Sequence, residues 1–306
     1  MILRKISGAT APLLMIIFSV LISGCGDVNK DKGSPDYISQ IKQWRSNRIE
    51  NLKKDSGWLN LAGLYWLKPG KNTFGTNPGN DIVFPKGKAP GMVGIFTLKD
   101  SVVSVKIEPG VKVTSGGKSV KEMILENDMS ENTNILELGF LRWFVIKRGD
   151  RYGIRLRNLD ADLVKEFNGT EVYPIDKDWK FNATFIKYDP PKIISIPTII
   201  GTVEEDTCPG ALLFDKDGKS YKLDVIQEGN QFFIIFADKT SGVETYGAGR
   251  FLYTAEPDSN GRVVLDFNKA YNPPCAFTPY ATCPLPPKQN YLNLKVTAGE
   301  KKYGHH

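Results

Sequence analysis

The stretch GALLFDKDGKSYKLDVIQEGNQFFIIFADKTSG, residues 210–242, decides the fold. Its apolar residues come in short blocks, and each block stops at a turn pair, Asp217-Gly218 and then Gly229-Asn230. Such pairs accept positive φ and close tight hairpins, so the segment predicts antiparallel strands in a meander. IPTIIGTVEED (196–206) leads into it, and AGRFLYTAEPDSNGRVVLDFNKAY (248–271) extends it through a turn at Asn260-Gly261. The DKDG tetrapeptide has the look of a calcium loop but lacks the later ligand positions and the closing glutamate, which leaves it a turn.

Outward toward the N-terminus the same alternation holds. GWLNLAGLYWL (57–67), VGIFTLKDSVVSVKI (93–107) and LGFLRWFVIKRGDRYGIRLRN (138–158) are period-two runs between turn clusters, the pattern of a sandwich or barrel. Residues 34–57 differ. Ser34 can cap a helix with Pro35 at its first position, apolar residues recur at Tyr37, Ile38, Ile41, Trp44, Ile49 and Leu52, and Gly57 supplies a stop. Arg45 and Arg48 fall on its more polar side and read as solvated, while Trp58 and Trp66 read as core or interface aromatics. Toward the C-terminus, NPPCAFTPYATCPLPP (272–287) is too rich in proline for a helix or a central strand, so it must be a strap held by side chains or a cross-link.

The expected fold class is therefore mainly β: an N-terminal helix followed by two β-units, one sandwich-like and one a meander or partial barrel with a proline-rich C-terminal strap. The expected division is 1–24 signal peptide, 25–33 tether, 34–57 helix, 58–158 first β-unit, 159–192 connection and 193–304 second β-unit. The connection holds a helical stretch, LDADLVKEFNG (159–169), and a proline marker, YDPPK (188–192).

The signal reading rests on Arg4 and Lys5, an apolar run from Pro12 to Ile22 too short to cross a bilayer, and small residues before a cysteine. Ile22-Ser23-Gly24-Cys25 resembles the bacterial lipobox, which implies lipidation of Cys25 and a membrane as partner at the cell envelope, weakly favouring the outer membrane because Gly26 rather than Asp follows. Without the first 24 residues the formal charge falls from +6 to +4, since only Arg4 and Lys5 are lost. That charge is too mild to imply nucleic acid.

Of the remaining cysteines, a Cys275–Cys283 bridge closing the proline-rich loop is the simplest pairing, with Cys208 paired to either as the alternative. The two histidines are His305 and His306, at the end of the chain. Ser-His-Asp and Cys-His catalysis then lack their base, and three scattered thiols do not make a zinc site. No phosphate-cradling glycine loop is present and TYGAGRF (245–251) is too short for a dinucleotide fingerprint, so no cofactor is expected.

FADKTSGVETYGAGRFLY (236–253), VVLDFNKAYNPPCAFTPYATCPLPPKQNYL (263–292) and VTAGEK (296–301), with GWLNLAGLYWLKPGKNTFG (57–75) as a front end, resemble the bacterial family known as domain of unknown function 1684. The resemblance implies identity without an established reaction. LKPGKNTFGTNPGNDIVFP (67–85), followed by SGGKSV (115–120) and LELGFLRWFVI (136–146), is similar in order to a forkhead-associated sandwich. Thr76, however, stands where that family's phosphate-binding arginine would be, so no phosphopeptide function follows.

The polar residues of the second β-unit supply the candidate site. Asp238, Tyr246, Arg250, Asp266, Asn268 and Asn272 crowd into segments that should adjoin in a meander. An arginine beside Asp, Asn and Tyr can cradle a small carboxylate or phosphate. The bland reading is that Arg250 pairs with Asp238 or Asp266 to tie the strap down. On function, a binding or structural lipoprotein stands first. A histidine-independent hydrolase of an envelope glycan or ester, with Asp238 or Asp266 as acid or base, is the alternative.

Overall fold

Helix α1 (Pro35–Lys53) begins where expected, with the Ser34 hydroxyl accepting from the Tyr37 amide at 3.3 Å. The computed structural model describes residues 1–2 and 30–304, so the signal segment, Cys25 and His305–His306 lie outside the described residues. No described helix is long and apolar enough to cross a membrane. The helix ends at Lys53, short of Gly57. Gly57 is required instead by close approach, because a Cβ there would collide with the Leu52 carbonyl. Arg45 and Arg48 are not solvated as expected. Arg45 Nη2 donates to the Tyr173 carbonyl at 3.1 Å, and Arg48 donates to Glu300 at 2.7 Å and to the Asn272 carbonyl at 2.9 Å, clasping the helix to the second β-unit. The expected tether is likewise bonded at its end, where the Asp31 carboxylate accepts from the Ile175 amide at 2.9 Å.

The first β-unit contains β1 (Leu61–Trp66), β2 (Gly70–Gly75), β3 (Ile82–Val83), β4 (Gly94–Lys99), β5 (Val102–Ile107), β6 (Thr114–Ser115), β7 (Lys118–Ser119), β8 (Glu122–Leu125), β9 (Leu136–Leu138), β10 (Leu141–Arg148) and β11 (Arg151–Asn158). They form two sheets, β1-β11-β10-β9-β6-β7 and β3-β2-β4-β5-β8. The sheets face each other over a core that includes Phe74, Phe96 and Trp143, with Phe74 stacked on Phe96 at 4.2 Å. Along β11, Tyr152, Ile154 and Leu156 enter this core, which turns Arg151, Arg155 and Arg157 to the opposite face.

After the short helix α2 (Asp162–Glu166) come β12 (Lys180–Pro197), β13 (Val203–Lys216), β14 (Lys219–Glu228), β15 (Gln231–Phe236), β16 (Arg250–Ala255) and β17 (Arg262–Asp266). Two hairpin turns fall where expected, with Asp217, Gly218 and Gly229 at positive φ; Asn260-Gly261 is a turn with Gly261 at positive φ, but the β16 and β17 strands it connects are not paired with each other, so it closes no hairpin. Two further expectations change. YDPPK is not a linker, because β12 starts at Lys180 and runs through it. The prolines sit in a bulge where the register shifts between Lys187 and Lys192, and the Asp189–Pro190 peptide is cis. The meander also returns on itself: β17 pairs with β12, giving the order β16-β15-β14-β13-β12-β17. The Thr254 hydroxyl donates to the Val264 carbonyl at 2.9 Å across the remaining gap, so the six strands make a nearly closed antiparallel barrel.

The barrel interior holds Leu212, Phe214, Val225, Phe236 and Phe267. Strand β15 is apolar on both faces. Phe232, Ile234 and Phe236 point inward, while Phe233 and Ile235 join an outer cluster with Ile226, Phe251, Ala281 and Cys283. That outer face explains the proline strap, which covers it. The strap is fixed to the end of β12 by bonds from the Leu285 amide to the Pro197 carbonyl and from the Ile199 amide to the Cys283 carbonyl. Cys275 and Cys283 are disulfide-bonded, with Cα atoms 6.2 Å apart, and Cys208 is buried with a free thiol.

Candidate functional site

Arg250 opens β16, and its position follows from Gly249. At φ 86° the glycine turns the chain, and a Cβ would meet the Phe236 carbonyl and Pro286. The arginine has no exposed surface. Its Nη2 donates to Asp238 Oδ2 at 2.9 Å and to the Val296 carbonyl at 3.0 Å, and its Nη1 donates to the carbonyls of Ala298 and Glu300. The other Asp238 oxygen accepts from the Thr240 amide at 2.8 Å, the Thr240 hydroxyl at 2.7 Å and the Val296 amide at 3.2 Å.

The rest of the expected constellation disperses into separate ties. Asp266 accepts from the Tyr37 hydroxyl at 3.0 Å and from the Asn268 amide at 3.0 Å, and Asn268 donates to the Asp176 carbonyl at 2.8 Å. Asn272 donates its amide to Glu300 at 2.8 Å and its side chain to the Lys301 carbonyl at 2.7 Å. Tyr246 donates to the Cys275 carbonyl at 3.2 Å. The expected cradle at Arg250 is thus filled by the protein's own acceptors. Among the described residues Asp238 and Asp266 share no hydrogen-bond partner, and each carboxylate is taken up by its own ties within the fold.

A cavity does exist elsewhere. It has a volume of about 900 Å³ and lies between the first β-unit and the outer face of the barrel, with the strap as its third wall. Its apolar floor is Trp58, Ile226, Phe233, Ile235 and Phe251, and Ala281, Thr282, Cys283 and Pro284 of the strap close one side. The first β-unit contributes Lys147, Arg148 and Arg155 with one carboxylate, Asp128, and the barrel contributes Glu204, Glu205, Asp206 and Glu228. Among the described residues, no group of three or more His, Cys, Asp or Glu side chains is set to hold a metal ion.

Arg155 is the unusual member. It is 5% exposed, and among the described residues its guanidinium makes one hydrogen bond, from Nη2 to the Thr282 hydroxyl at 3.2 Å. Nε is buried without a partner, as are those of Arg45 and Arg250, and among the described residues no carboxylate lies within ion-pair distance of the guanidinium, although the Asp128 charge acts on it. Its neighbours on the same strand face are provided for: Arg157 donates to the Gly57 carbonyl and, at 2.7 Å, to Asn60, and Arg151 lies 3.9 Å over the Trp66 ring. Arg148 donates to Asp128 at 2.8 Å and also reaches Thr282 at 3.2 Å, so one hydroxyl serves two guanidinium groups. Burial, with the charge of Arg148 adding to it, pushes Arg155 down to about 10, which leaves it cationic at neutral pH. The arrangement presents a positive charge, short of acceptors, beside an apolar floor. The period-two arginines of RYGIRLRN (151–158) were the available signal, but they read as an exposed strand face because the strap that covers them comes more than a hundred residues later.

The family described as "Protein of unknown function (DUF1684)" matches residues 165–301. An uncharacterized protein from Haloarcula marismortui, solved by NMR in solution, is 31% identical, with 45% of this chain and 78% of that chain covered and a TM-score of 0.38. Residues 165–301 belong to the DUF1684 family. The DUF1684 match spans the barrel and strap. The segment 57–75 that was expected as its front end lies outside the match, as do Arg148 and Arg155, while Glu204–Asp206 and Thr282 lie within it. The FHA domain of FhaA, crystallised with the intracellular domain of another protein, is 14% identical over 31% of this chain and 97% of its own, at a TM-score of 0.22. No curated protein matches the chain.

Proposed function

We propose that this protein is a lipid-anchored component of the cell envelope that binds a small ligand in the cavity between sandwich and barrel. The ligand has an anionic head, a carboxylate or phosphate, and an apolar body. The head pairs with Arg155 and Arg148 beside Thr282, and the body rests on Phe233, Ile235 and Phe251. The observation that carries the reading is the near-bare hydrogen-bond shell of Arg155. A buried guanidinium without a carboxylate costs several kcal/mol unless something answers it, whereas the half-buried Arg157 on the same strand face is met by the Gly57 carbonyl and Asn60.

Isothermal titration with hexanoate and hexyl phosphate tests the binding. Wild type is expected to bind at least one of them, Arg155→Met to weaken binding by tenfold or more, and Arg155→Lys to recover part of it, because lysine restores charge without the planar fork. Absence of binding by wild type to both compounds sinks the proposal. The anchoring rests on Ile22-Ser23-Gly24-Cys25 alone. Cys25→Ser should abolish partition into membranes, and an intact mass without acyl groups would contradict it.

A further inference from the structure

The same cavity carries an unanswered charge of the opposite sign. Asp206 lies on β13, where it pairs in register with Ile194 of β12, and its side chain is half-buried in the cavity wall. Among the described residues it forms no ion pair and accepts no side-chain hydrogen bond, although Glu204 and Glu205 precede it and Glu228 of β14 lines the same wall. None of these four carboxylates pairs with a described lysine or arginine, and of the four Glu228 is the one with a side-chain partner, the Tyr253 hydroxyl. Across the cavity, Lys147 and Arg155 pair with no carboxylate either. Arg148 is paired with Asp128 and Glu228 is bonded by Tyr253, which leaves Arg155 and Lys147 on one wall and Asp206 on the other as the partly or fully buried charges without a counter-ion in contact.

Resting on the binding reading above, we infer that the ligand is zwitterionic: its anionic head meets Arg155, and an ammonium or comparable organic cation at its other end meets Asp206. Three observations favour this over simpler accounts. If the acidic wall were only a solvated strand face, Asp206 would be exposed, whereas it is half-buried and burial holds its carboxyl above the usual range. If it were a metal site, three donors would converge, and among the described residues no such group does. If the walls were a latch between the two β-units, Arg155 or Lys147 would reach Glu204, Glu205 or Asp206, and no such pair forms. Amino acids, short peptides and amine-bearing fragments have the required chemistry, with the apolar floor between the walls accepting their hydrocarbon part.

The test is a titration of wild type with a series of ω-amino carboxylates of increasing chain length, each against the plain carboxylate of the same length. At the length that spans the walls, the added ammonium should tighten binding by about tenfold, as a second charge-assisted contact does. Asp206→Asn should erase that gain and leave the plain carboxylate unchanged, whereas Arg155→Met should weaken both compounds. If plain carboxylates bind and the amine adds nothing at any length, the zwitterion is wrong and the anion site stands. If the amine gain survives Asp206→Asn, the cation sits elsewhere and the assignment is overturned. If no compound of either kind binds, both readings fall.

Discussion

Arg250 and Arg155 are both buried arginines of the same molecule, one at the start of a barrel strand and one in the middle of a sandwich strand, and they could hardly be treated more differently. Arg250 is answered by a carboxylate and three carbonyls, and its carboxylate is answered in turn by two amides and a hydroxyl. Arg155 has one threonine hydroxyl, and a buried nitrogen with nothing. Burial alone therefore does not distinguish structure from function. Charge compensation separates them: each guanidinium leaves a buried Nε without a partner, but Arg250 is neutralised by Asp238 within the fold, whereas Arg155 touches no carboxylate and is the one proposed to meet a ligand.

The contrast breaks or sharpens first on stability. Arg250→Met leaves Asp238 and the Val296 and Ala298 carbonyls buried and unpaired, so urea denaturation should show a loss of about 3–5 kcal/mol, and a loss below about 1 kcal/mol would place Arg250 in the same class as Arg155. Arg155→Met, by contrast, removes a charge the fold does not repay, and the same measurement should find stability unchanged or raised by up to about 2 kcal/mol. A large loss there would mean that Arg155 is structural after all.

The smallest effect concerns Asp206, and its sign can be worked out. Burial raises the carboxyl in the folded state, so on acidification the folded protein takes up this proton before the unfolded chain does. At neutral pH the ionised group therefore favours unfolding, and that penalty fades as pH falls through the raised value toward the ordinary one. Asp206→Asn should accordingly be slightly more stable than wild type at neutral pH, with the gap closing in acid. A gap that widens in acid would reverse the assignment.

What could be read in advance divides along physical lines. Local rules held: the hairpins at Asp217-Gly218 and Gly229-Asn230 and the turn at Asn260-Gly261 depend on a few adjacent residues, and so does the Ser34 cap, although the strands on either side of Asn260-Gly261 find other partners. Non-local facts did not. Pairing of β17 with β12 joins Lys180 to Asp266, and no local pattern announces it. YDPPK read as a boundary because proline withholds a donor, yet a bulge in a long hairpin needs no donor there. The burial of Arg250 was anticipated from its polar neighbours, and its carboxylate partner was among the two considered. Arg155 could not be found this way. Its alternation with Tyr152, Ile154 and Leu156 is what an exposed strand face looks like, and its burial comes from Thr282, on a segment closed by the distant Cys275–Cys283 bridge.

The seam of the barrel has a consequence for how the molecule meets its own kind. A six-strand sheet left open would offer two rows of unpaired amides and carbonyls to any neighbouring chain, the usual starting point for edge-to-edge aggregation. Here β16 and β17 end beside each other, joined by Thr254 to Val264, and the Phe251 and Tyr271 backbones exchange paired bonds of 2.9 Å further along β16. The two edges face each other across that seam, so on a crowded surface the barrel would offer a neighbour less free backbone than an open six-strand sheet would.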